Sequence, residues 1–213
     1  VFSNAGFIEG NSWQYSWYVP HDIKGLIKLI GKEKALERLS DGFEKSRKHN
    51  FAAHVFDRTM GQSAEFYINQ GNEVNMNSAF IFNYLDKPSL CQNYTREILD
   101  RFYGDSPYKG WEGDEDEGQM GGWFVMSAMG LFEMDGGGTA DSELDITSPL
   151  FNKITIALDS RYYPGKEAVN NSPENRYIRS ARLNGKLLKN FRIPFSALVN
   201  GGRLELEMGN EPL

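Results

Sequence analysis

The sequence predicts an α+β protein, with a helical part over residues 1–135 and an antiparallel β-rich part over residues 136–213. Two observations support this fold class. Apolar residues recur at helical spacing between residues 20 and 131, whereas from residue 153 onwards they alternate at every second position, as in strands. A run of three glycines at 136–138 separates the two patterns. We therefore expect two domains that meet near this glycine run.

The helical part contains five predicted helices. In the first, Pro20 lies in the opening turn, Ile23 and Ile27 belong to the apolar stripe, and Gly31 ends the helix. The other four are expected at about residues 32–48, 75–85, 89–102 and 119–131. The last of these is apolar on nearly every side, which predicts a buried helix. Short links between the helices are typical of consecutive helical hairpins, and two interpretations remain: a small helical domain, or a segment of a larger closed toroid.

The β part is predicted from four alternating segments and two turns. The segments lie at residues 153–158, 177–181, from 187 onwards, and 204–208. Asn184-Gly185 is a strong signal for a two-residue hairpin turn, and Asn200-Gly201-Gly202 indicates a second turn. Tight turns join antiparallel strands, so we expect antiparallel pairing.

Composition and charge exclude several classes of protein. The net charge is −6 and no basic stripe occurs, so we expect no nucleic-acid partner. No apolar run approaches the roughly 20 residues of a membrane span, so we expect none. The single cysteine, Cys91, excludes an internal disulfide and a cysteine metal cluster. Its helical surroundings predict a buried thiol.

The densest acidic segment has five carboxylates in six positions, Glu112 and residues 114–117, directly before the last predicted helix. Helix N-termini favour negative charge, so a solvated capping cluster is one interpretation. Trp111 and Trp123 flank the segment, and the apolar helix behind it favours a second interpretation in which the acids lie at the mouth of a core. Repulsion among them would then raise some of their pKa values or recruit a cation.

A second candidate acid, Glu9, precedes four aromatic residues, Trp13, Tyr15, Trp17 and Tyr18. An apolar pocket disfavours the carboxylate and raises its pKa, which a general acid requires. The alternative is an ordinary glutamate in an exposed loop.

Amide and carboxylate side chains crowd residues 69–75, Asn-Gln-Gly-Asn-Glu-Val-Asn. Their oxygens suit a hard cation such as calcium, and they also suit hydrogen bonds to sugar hydroxyls. The alternative is helix capping by Asn72, Glu73 or Asn75. No pair of the three histidines has metal-ligand spacing, and no nucleophile elbow, phosphate-binding loop or dinucleotide fingerprint occurs in the sequence.

These segments resemble, in the same order, motifs of glycoside hydrolase family 92, the calcium-dependent exo-acting α-mannosidases. The matching stretches cover nearly the whole chain, and several motifs in order are far more specific than one. They are EGNSWQY at 9–15 running into VPHD at 19–22, GNE at 71–73, GDEDEGQM at 113–120 with WFVMSAMG at 123–130, SPLF at 148–151 and LNGK at 183–186.

The resemblance implies a function and a set of roles. It implies inverting hydrolysis of terminal α-mannosides, N-glycans among them, by an enzyme whose helical hairpins form part of an (α/α)6 toroid. Glu9 would be the general acid, and Asp114 and Asp116 would supply the general base. Asn72 and Glu73 would hold calcium, the implied cofactor. The residues implied to bind the mannose-containing glycan are Trp13, Gln14, Tyr15, Asp22 and Asn75.

The same resemblance implies a larger protein. Enzymes of the family join an N-terminal β-sandwich to the toroid, and this chain is similar to the C-terminal part of the catalytic region. The missing N-terminal domain is therefore an expected partner. We expect the chain by itself to lack part of the substrate pocket and not to turn over mannosides. Family members are typically secreted or periplasmic, which is the expected location.

One segment departs from the family's motif. A proline and a histidine-containing stretch usually follow Gly-Asn-Glu, whereas here Val74-Asn75-Met76-Asn77 follows. These positions shape the sugar site, so a degenerate family member with altered linkage preference or lost activity is one alternative. A non-catalytic carbohydrate-binding module is another. A toroidal phosphorylase would need a phosphate site, and no basic cluster lies near the acids in the sequence.

Overall fold

The computed structural model describes residues 6–8, 10–52, 66–111, 113, 115–140, 142–154, 156, 168–169 and 175–212. Over these residues the protein combines helices with largely antiparallel sheet, so the predicted mixture is confirmed. The chain divides into two compact units, Val1–Asp86 with Glu97–Phe124, and Lys87–Arg96 with Val125–Leu213. No helix in the described ranges is both long and apolar enough to cross a membrane.

The described residues form eight α-helices and three 3₁₀ turns. The helices are α1 (Ser12–Tyr15), α2 (Ile23–Ile30), α3 (Lys32–Ser46), α4 (Glu73–Met76), α5 (Ile81–Tyr84), α6 (Pro88–Arg101), α7 (Gln119–Ala128) and α8 (Phe195–Val199). The 3₁₀ turns are Pro20–Asp22, Arg47–His49 and Ser78–Phe80. Helices α6 and α7 each contribute residues to both units.

The first, second and fourth predicted helices are confirmed as α2, α3 and α6. Helix α2 shows why local sequence was sufficient. The Asp22 side chain accepts a hydrogen bond from the Gly25 backbone N–H at 2.9 Å and so caps the first turn. Ile23 and Ile27 are buried on one face, and Gly31, with φ +89°, ends the helix.

The third predicted helix, residues 75–85, is wrong as one element. The structure divides this stretch into α4, a 3₁₀ turn and α5. Buried amides explain the break, because short polar side chains compete with the helix for backbone hydrogen bonds. The Asn75 side chain accepts from the Asn69 N–H at 2.6 Å, and the Asn77 side chain donates to the Trp17 carbonyl at 3.4 Å.

The fifth predicted helix is confirmed as α7, but it ends earlier and is only partly buried. Gly130 has φ +80°, and an added Cβ there would lie 2.9 Å from the Thr147 carbonyl oxygen, so only glycine fits this exit. Met120 and Trp123 are buried, whereas Val125 is 54% exposed. The predicted burial therefore holds for one face of α7, whereas Val125 lies on a face that is exposed.

The strands form two sheets. Their bounds are β1 (Leu131–Glu133), β2 (Glu143–Ile146), β3 (Lys153–Ile154), β4 (Ala168–Val169), β5 (Tyr177–Leu183), β6 (Lys186–Leu187), β7 (Arg192–Pro194) and β8 (Leu204–Gly209). One sheet has the order β1-β2-β7, and the other has the order β3-β4-β8-β5-β6. All described pairs are antiparallel except β4 with β8, which is parallel.

The predicted hairpin at Asn184-Gly185 is confirmed between β5 and β6. Asn184 has φ 51° and Gly185 has φ 78°, which is the left-handed pair that such a turn requires. The predicted strands at 177–181 and 204–208 are confirmed as β5 and β8. Of the predicted strand 153–158, β3 contains the first two residues, and residues 155, 157 and 158 lie outside the described chain.

The core of the second unit joins both sheets to helical residues. Its buried members are Leu131, Leu144, Ile146, Ile178, Ala181 and Ile193. Gln92, on α6, accepts a hydrogen bond from the Ile178 N–H at 2.8 Å. Cys91 is fully buried as predicted, and the Thr95 hydroxyl donates to its carbonyl at 2.8 Å. The Gln92 hydrogen bond therefore attaches β5 to α6.

Candidate active site

Two segments meet at a pair of glycines. They are residues 112–118, called the acidic loop, and residues 69–75, called the Gly-Asn-Glu segment. Gly113 has φ +93°, and a Cβ added to it would lie 2.5 Å from the Gly71 carbonyl oxygen and 3.0 Å from its Cα. Only a glycine allows two backbones to approach so closely. The contact brings the start of the acidic loop against the residue that precedes Asn72 and Glu73.

The described acids of this loop are exposed and lie on an unusual backbone. Asp116 has φ 40° and Glu117 has φ 60°, so two consecutive non-glycine residues adopt left-handed conformations before Gly118 at φ 93°. Such residues cost of order 1–3 kcal/mol each and persist only where the surroundings hold them. Glu115 accepts a hydrogen bond from the Gly121 N–H at 3.2 Å and so caps α7. Capping therefore accounts for Glu115 and leaves Asp116 exposed.

Two further acids of the loop, Glu112 and Asp114, lie outside the described residues. The same is true of Glu9, the predicted general acid. Their predicted roles stay predictions, and so do the other predicted site roles.

The Gly-Asn-Glu segment is rich in buried amides. The Asn72 side chain is buried and accepts from the Val74 N–H at 3.3 Å, which makes it the cap of α4. Asn75 is buried, with its side-chain oxygen on the Asn69 N–H. Glu73 is the first residue of α4 and is half-buried. The helix-capping alternative therefore describes Asn72, while the Glu73 carboxylate lies at a helix start, where negative charge is favoured.

The described residues before and after Glu9 make several hydrogen bonds. The Tyr15 hydroxyl donates to the Ile8 carbonyl oxygen at 2.8 Å. The Asn11 side chain accepts from the Gln14 N–H at 3.0 Å, and the Gln14 side chain accepts from the Asn11 N–H at 3.1 Å, which forms a capping box. The amides of both side chains donate to the Phe66 carbonyl oxygen at 3.0 Å.

Trp13 packs inside the first unit. Its ring lies edge-on to Trp17, with centroids 5.7 Å apart, and to Tyr67 at 5.2 Å, and the Arg38 guanidinium lies 5.7 Å from its centroid. A Cβ on Gly42 would lie 2.4 Å from the ring. Its position is therefore that of a core residue that anchors α1 on α3. Asp22, by contrast, is exposed and caps α2.

Tyr103 is a residue that the sequence patterns did not single out. It is buried, and its ring stacks on Trp123 with centroids 5.6 Å apart and planes 5° from parallel. Its hydroxyl donates to the Met120 carbonyl oxygen at 3.1 Å. Burial raises the pKa of this hydroxyl, and the nearby Gln70 side chain only partly opposes the shift, so the group remains a proton donor. A tyrosine next to a helix end carries no spacing signal, so only the structure reveals it.

Among the described residues, no three side chains of His, Cys, Asp or Glu lie close enough together to hold a metal ion. Asn72 and Glu73 carry one amide oxygen and one carboxylate, and calcium takes oxygen donors of these two types.

Comparison with known proteins is consistent across sequence and fold. The model of the glycosyl hydrolase family 92 catalytic domain matches residues 2–210. A protein of the fungus Arthroderma benhamiae named an uncharacterized secreted glycosidase is 29% identical over 210 residues. A family 92 α-mannosidase from Bacteroides thetaiotaomicron, solved in complex with mannoimidazole, has 30% identity and a TM-score of 0.77. A family 92 inverting mannosidase from the same bacterium has 32% identity and a TM-score of 0.77.

The chain corresponds to about a quarter of each of these proteins. The alignment covers 95% of this chain and 24% of the fungal protein. It covers 96% of this chain and 26% of the mannoimidazole-bound mannosidase, and 97% of this chain and 28% of the inverting mannosidase. The similarity therefore extends over nearly all of this chain but over a minor part of its relatives.

Proposed function

Because the chain belongs to glycosyl hydrolase family 92, we propose that it carries part of the active site of an inverting exo-α-mannosidase that hydrolyses terminal α-mannosides of glycans. The observation that carries the proposal is the approach of Gly113 to Gly71. It joins the acidic loop to the segment with Asn72 and Glu73. The proposed base and the proposed sugar and calcium site therefore lie on adjoining loops.

In the proposed reaction, Glu9 gives its proton to the glycosidic oxygen as the bond from that oxygen to the anomeric carbon breaks. A water molecule attacks the opposite face of the sugar, and Asp114 or Asp116 takes a proton from it. Inverting enzymes hold the two carboxyl groups about 6.5–9.5 Å apart to leave room for this water. The exposure of Asp116 supports the assignment, because a base that activates water must be reached by water.

The residues proposed to bind the glycan fall into two groups by burial. Trp13 and Gln14 are buried, and we propose that they act mainly by holding the segment that carries Glu9, which supports a fixed proton donor. Tyr15 and Asp22 are accessible enough to touch a sugar directly. Asn75 is buried, so its proposed contribution is to shape the loop behind Glu73.

We propose calcium as the cofactor, with Glu73 supplying a carboxylate oxygen and Asn72 an amide oxygen. Calcium takes 6–8 oxygen ligands and accepts carbonyl and water oxygens beside carboxylates, so two such side chains are a partial set. When bound, the ion supplies positive charge that draws sugar hydroxyls into place and assists distortion of the ring.

For the complete protein we propose the architecture and location of the family. The helices of this chain would form part of an (α/α)6 toroid, and an N-terminal domain would complete the substrate pocket. The name of the fungal relative describes a secreted glycosidase, so we propose secretion rather than a periplasmic location.

The test is mannose release from an α-mannoside by the complete protein that carries this chain, with calcium and after chelation. Glu9→Gln and Asp116→Asn should each lower kcat by at least about 100-fold, because each removes a proton-transfer group. Glu117→Gln is the matched control, since Glu117 is the next exposed carboxylate in the same loop and carries no proposed role. Chelation should abolish turnover, and added calcium should restore it.

Other outcomes separate the alternatives. Full activity in both Glu9→Gln and Asp116→Asn would contradict the assigned roles. A protein that binds mannose in a calorimetric titration but releases none from any α-mannoside would be a carbohydrate-binding or degenerate member instead. The 213-residue chain by itself should release no mannose, and robust turnover would contradict an incomplete pocket.

A further inference from the structure

Tyr103 contacts both ends of the acidic loop. Its ring lies 6.4 Å from the ring of Trp111, which directly precedes the acids. Its hydroxyl donates to the carbonyl oxygen of Met120, which directly follows the loop within the first turn of α7. One buried side chain therefore contacts both ends of a loop whose described acids, Glu115, Asp116 and Glu117, are exposed.

The loop requires such support. Asp116 and Glu117 both have positive φ. This left-handed backbone is unfavourable for residues other than glycine, so contacts from outside the loop must stabilise it. The hydrogen bond from Gly121 N–H to Glu115 fixes the loop to α7, but it does not fix α7 to the rest of the unit. Tyr103 supplies that attachment, because its ring also packs on Trp123 and Phe124 of the same helix, at 5.6 and 5.2 Å between centroids.

The same contacts lead to the Gly-Asn-Glu segment. The Trp123 indole N–H donates to the carbonyl oxygen of Met76, the last residue of α4, at 2.8 Å. The Gln70 side chain, one residue before Gly71, lowers the pKa of the Tyr103 hydroxyl against the effect of burial, so the two groups interact. Tyr103 thus contacts the acidic loop and α7 directly, and Trp123 of α7 bonds to the end of α4, which follows Gly71.

We propose that Tyr103 is a positioning residue that sets where Asp116 lies relative to Glu73, by holding both ends of the acidic loop against α7, which Trp123 bonds to α4. This inference rests on the proposed function. The residue does not touch the reacting atoms; its hydroxyl acts through the loop that carries the base. Its loss should therefore affect the rate of the chemical step more than the affinity for substrate.

The test is Tyr103→Phe in the complete protein with calcium present, because this change removes the hydroxyl and keeps the stacked ring. We expect kcat to fall by about 10- to 100-fold, KM to change less than about twofold, and the acidic limb of the kcat/KM pH profile to shift as the base changes surroundings. Tyr177→Phe is the matched control. It removes a tyrosine hydroxyl that bonds to Asn93 at 3.3 Å in the other unit, and it should leave all three quantities unchanged.

The thermal unfolding midpoint and the fraction of folded enzyme are measured for each variant, so that a loss of stability is distinguished from a loss of catalytic rate. If kcat per folded molecule and the pH profile of Tyr103→Phe equal those of the parent, the positioning role is overturned, whether or not stability falls. Asp116→Asn separates this result from failure of the proposed function. Full activity in that variant refutes the role of the base, whereas an inactive Asp116→Asn beside an unaffected Tyr103→Phe refutes only the positioning role.

Discussion

Replacing Gly113 with alanine tests whether the acidic loop and the Gly-Asn-Glu segment are held by direct backbone contact. An added Cβ would lie 2.5 Å from the Gly71 carbonyl oxygen and 3.0 Å from the Gly71 Cα. Both are backbone atoms, so no side chain can rotate to relieve the overlap. The two segments must move apart, and the groups they carry must move with them.

The expected loss of stability has two parts. Gly113 has φ +93°, and a left-handed conformation costs an L-residue about 1–2 kcal/mol. Forcing a methyl group into packed backbone costs roughly 1–3 kcal/mol more. We therefore expect the free energy of unfolding of Gly113→Ala to fall by about 2–5 kcal/mol.

Gly118→Ala is the matched control, because Gly118 lies in the same loop with the same φ of +93°. Its added Cβ would approach no atom closer than the Glu115 Oε1 at 4.0 Å, so only the conformational cost of about 1–2 kcal/mol should remain. Urea unfolding of the 213-residue chain, followed by tryptophan fluorescence, measures both losses. Equal losses in the two variants would refute the contact between the loops.

Two further predictions concern buried groups. Asn11→Ala should lower the free energy of unfolding by about 1–3 kcal/mol, because it removes the cap of α1 and a bond to the Phe66 carbonyl; an unchanged urea midpoint would contradict this. Cys91 should resist iodoacetamide at pH 8 in the native chain and react fully in urea. Burial raises the pKa of its thiol above the ordinary value of 9.0, and the negative charge of Asp145 raises it further. The neutral thiol then stabilises the fold fully below pH 9.0 and progressively less above it; rapid native labelling, read by mass spectrometry, would contradict the burial.

The acidic loop is unusual in its backbone conformation as well as in its charge. Two left-handed non-glycine residues in succession, Asp116 and Glu117, are unfavourable by themselves. They are held by the cap at Glu115 and by the packing of α7 behind them. An acidic segment that served only to solvate a helix start would not need this conformation, and its presence favours the interpretation of a functional loop.

Elements with strong local signals were predicted well from sequence. Asp22 and Gly31 bound α2 through a cap and a left-handed exit, and Asn184-Gly185 forms its hairpin, because each depends only on neighbouring residues. Strand β2 was missed although its sequence alternates, since it has only four residues, Glu143–Ile146, which is too short a run for alternation to be distinctive. The strand predicted from residue 187 onwards is divided in the structure, where β6 ends at Leu187 and β7 begins at Arg192.

The candidate site, like the fold, was predicted from sequence only in part. Sequence motifs alone identified the family, since the order and spacing of residues such as Asn72, Glu73 and Asp116 are properties of the chain. The approach of Gly113 to Gly71 and the position of Tyr103 join residues that are distant in sequence. Their contacts are decided by how helices pack and how closely backbones approach, quantities that no periodicity encodes. The sequence thus determined which groups are present, and only the tertiary structure decided which of them meet.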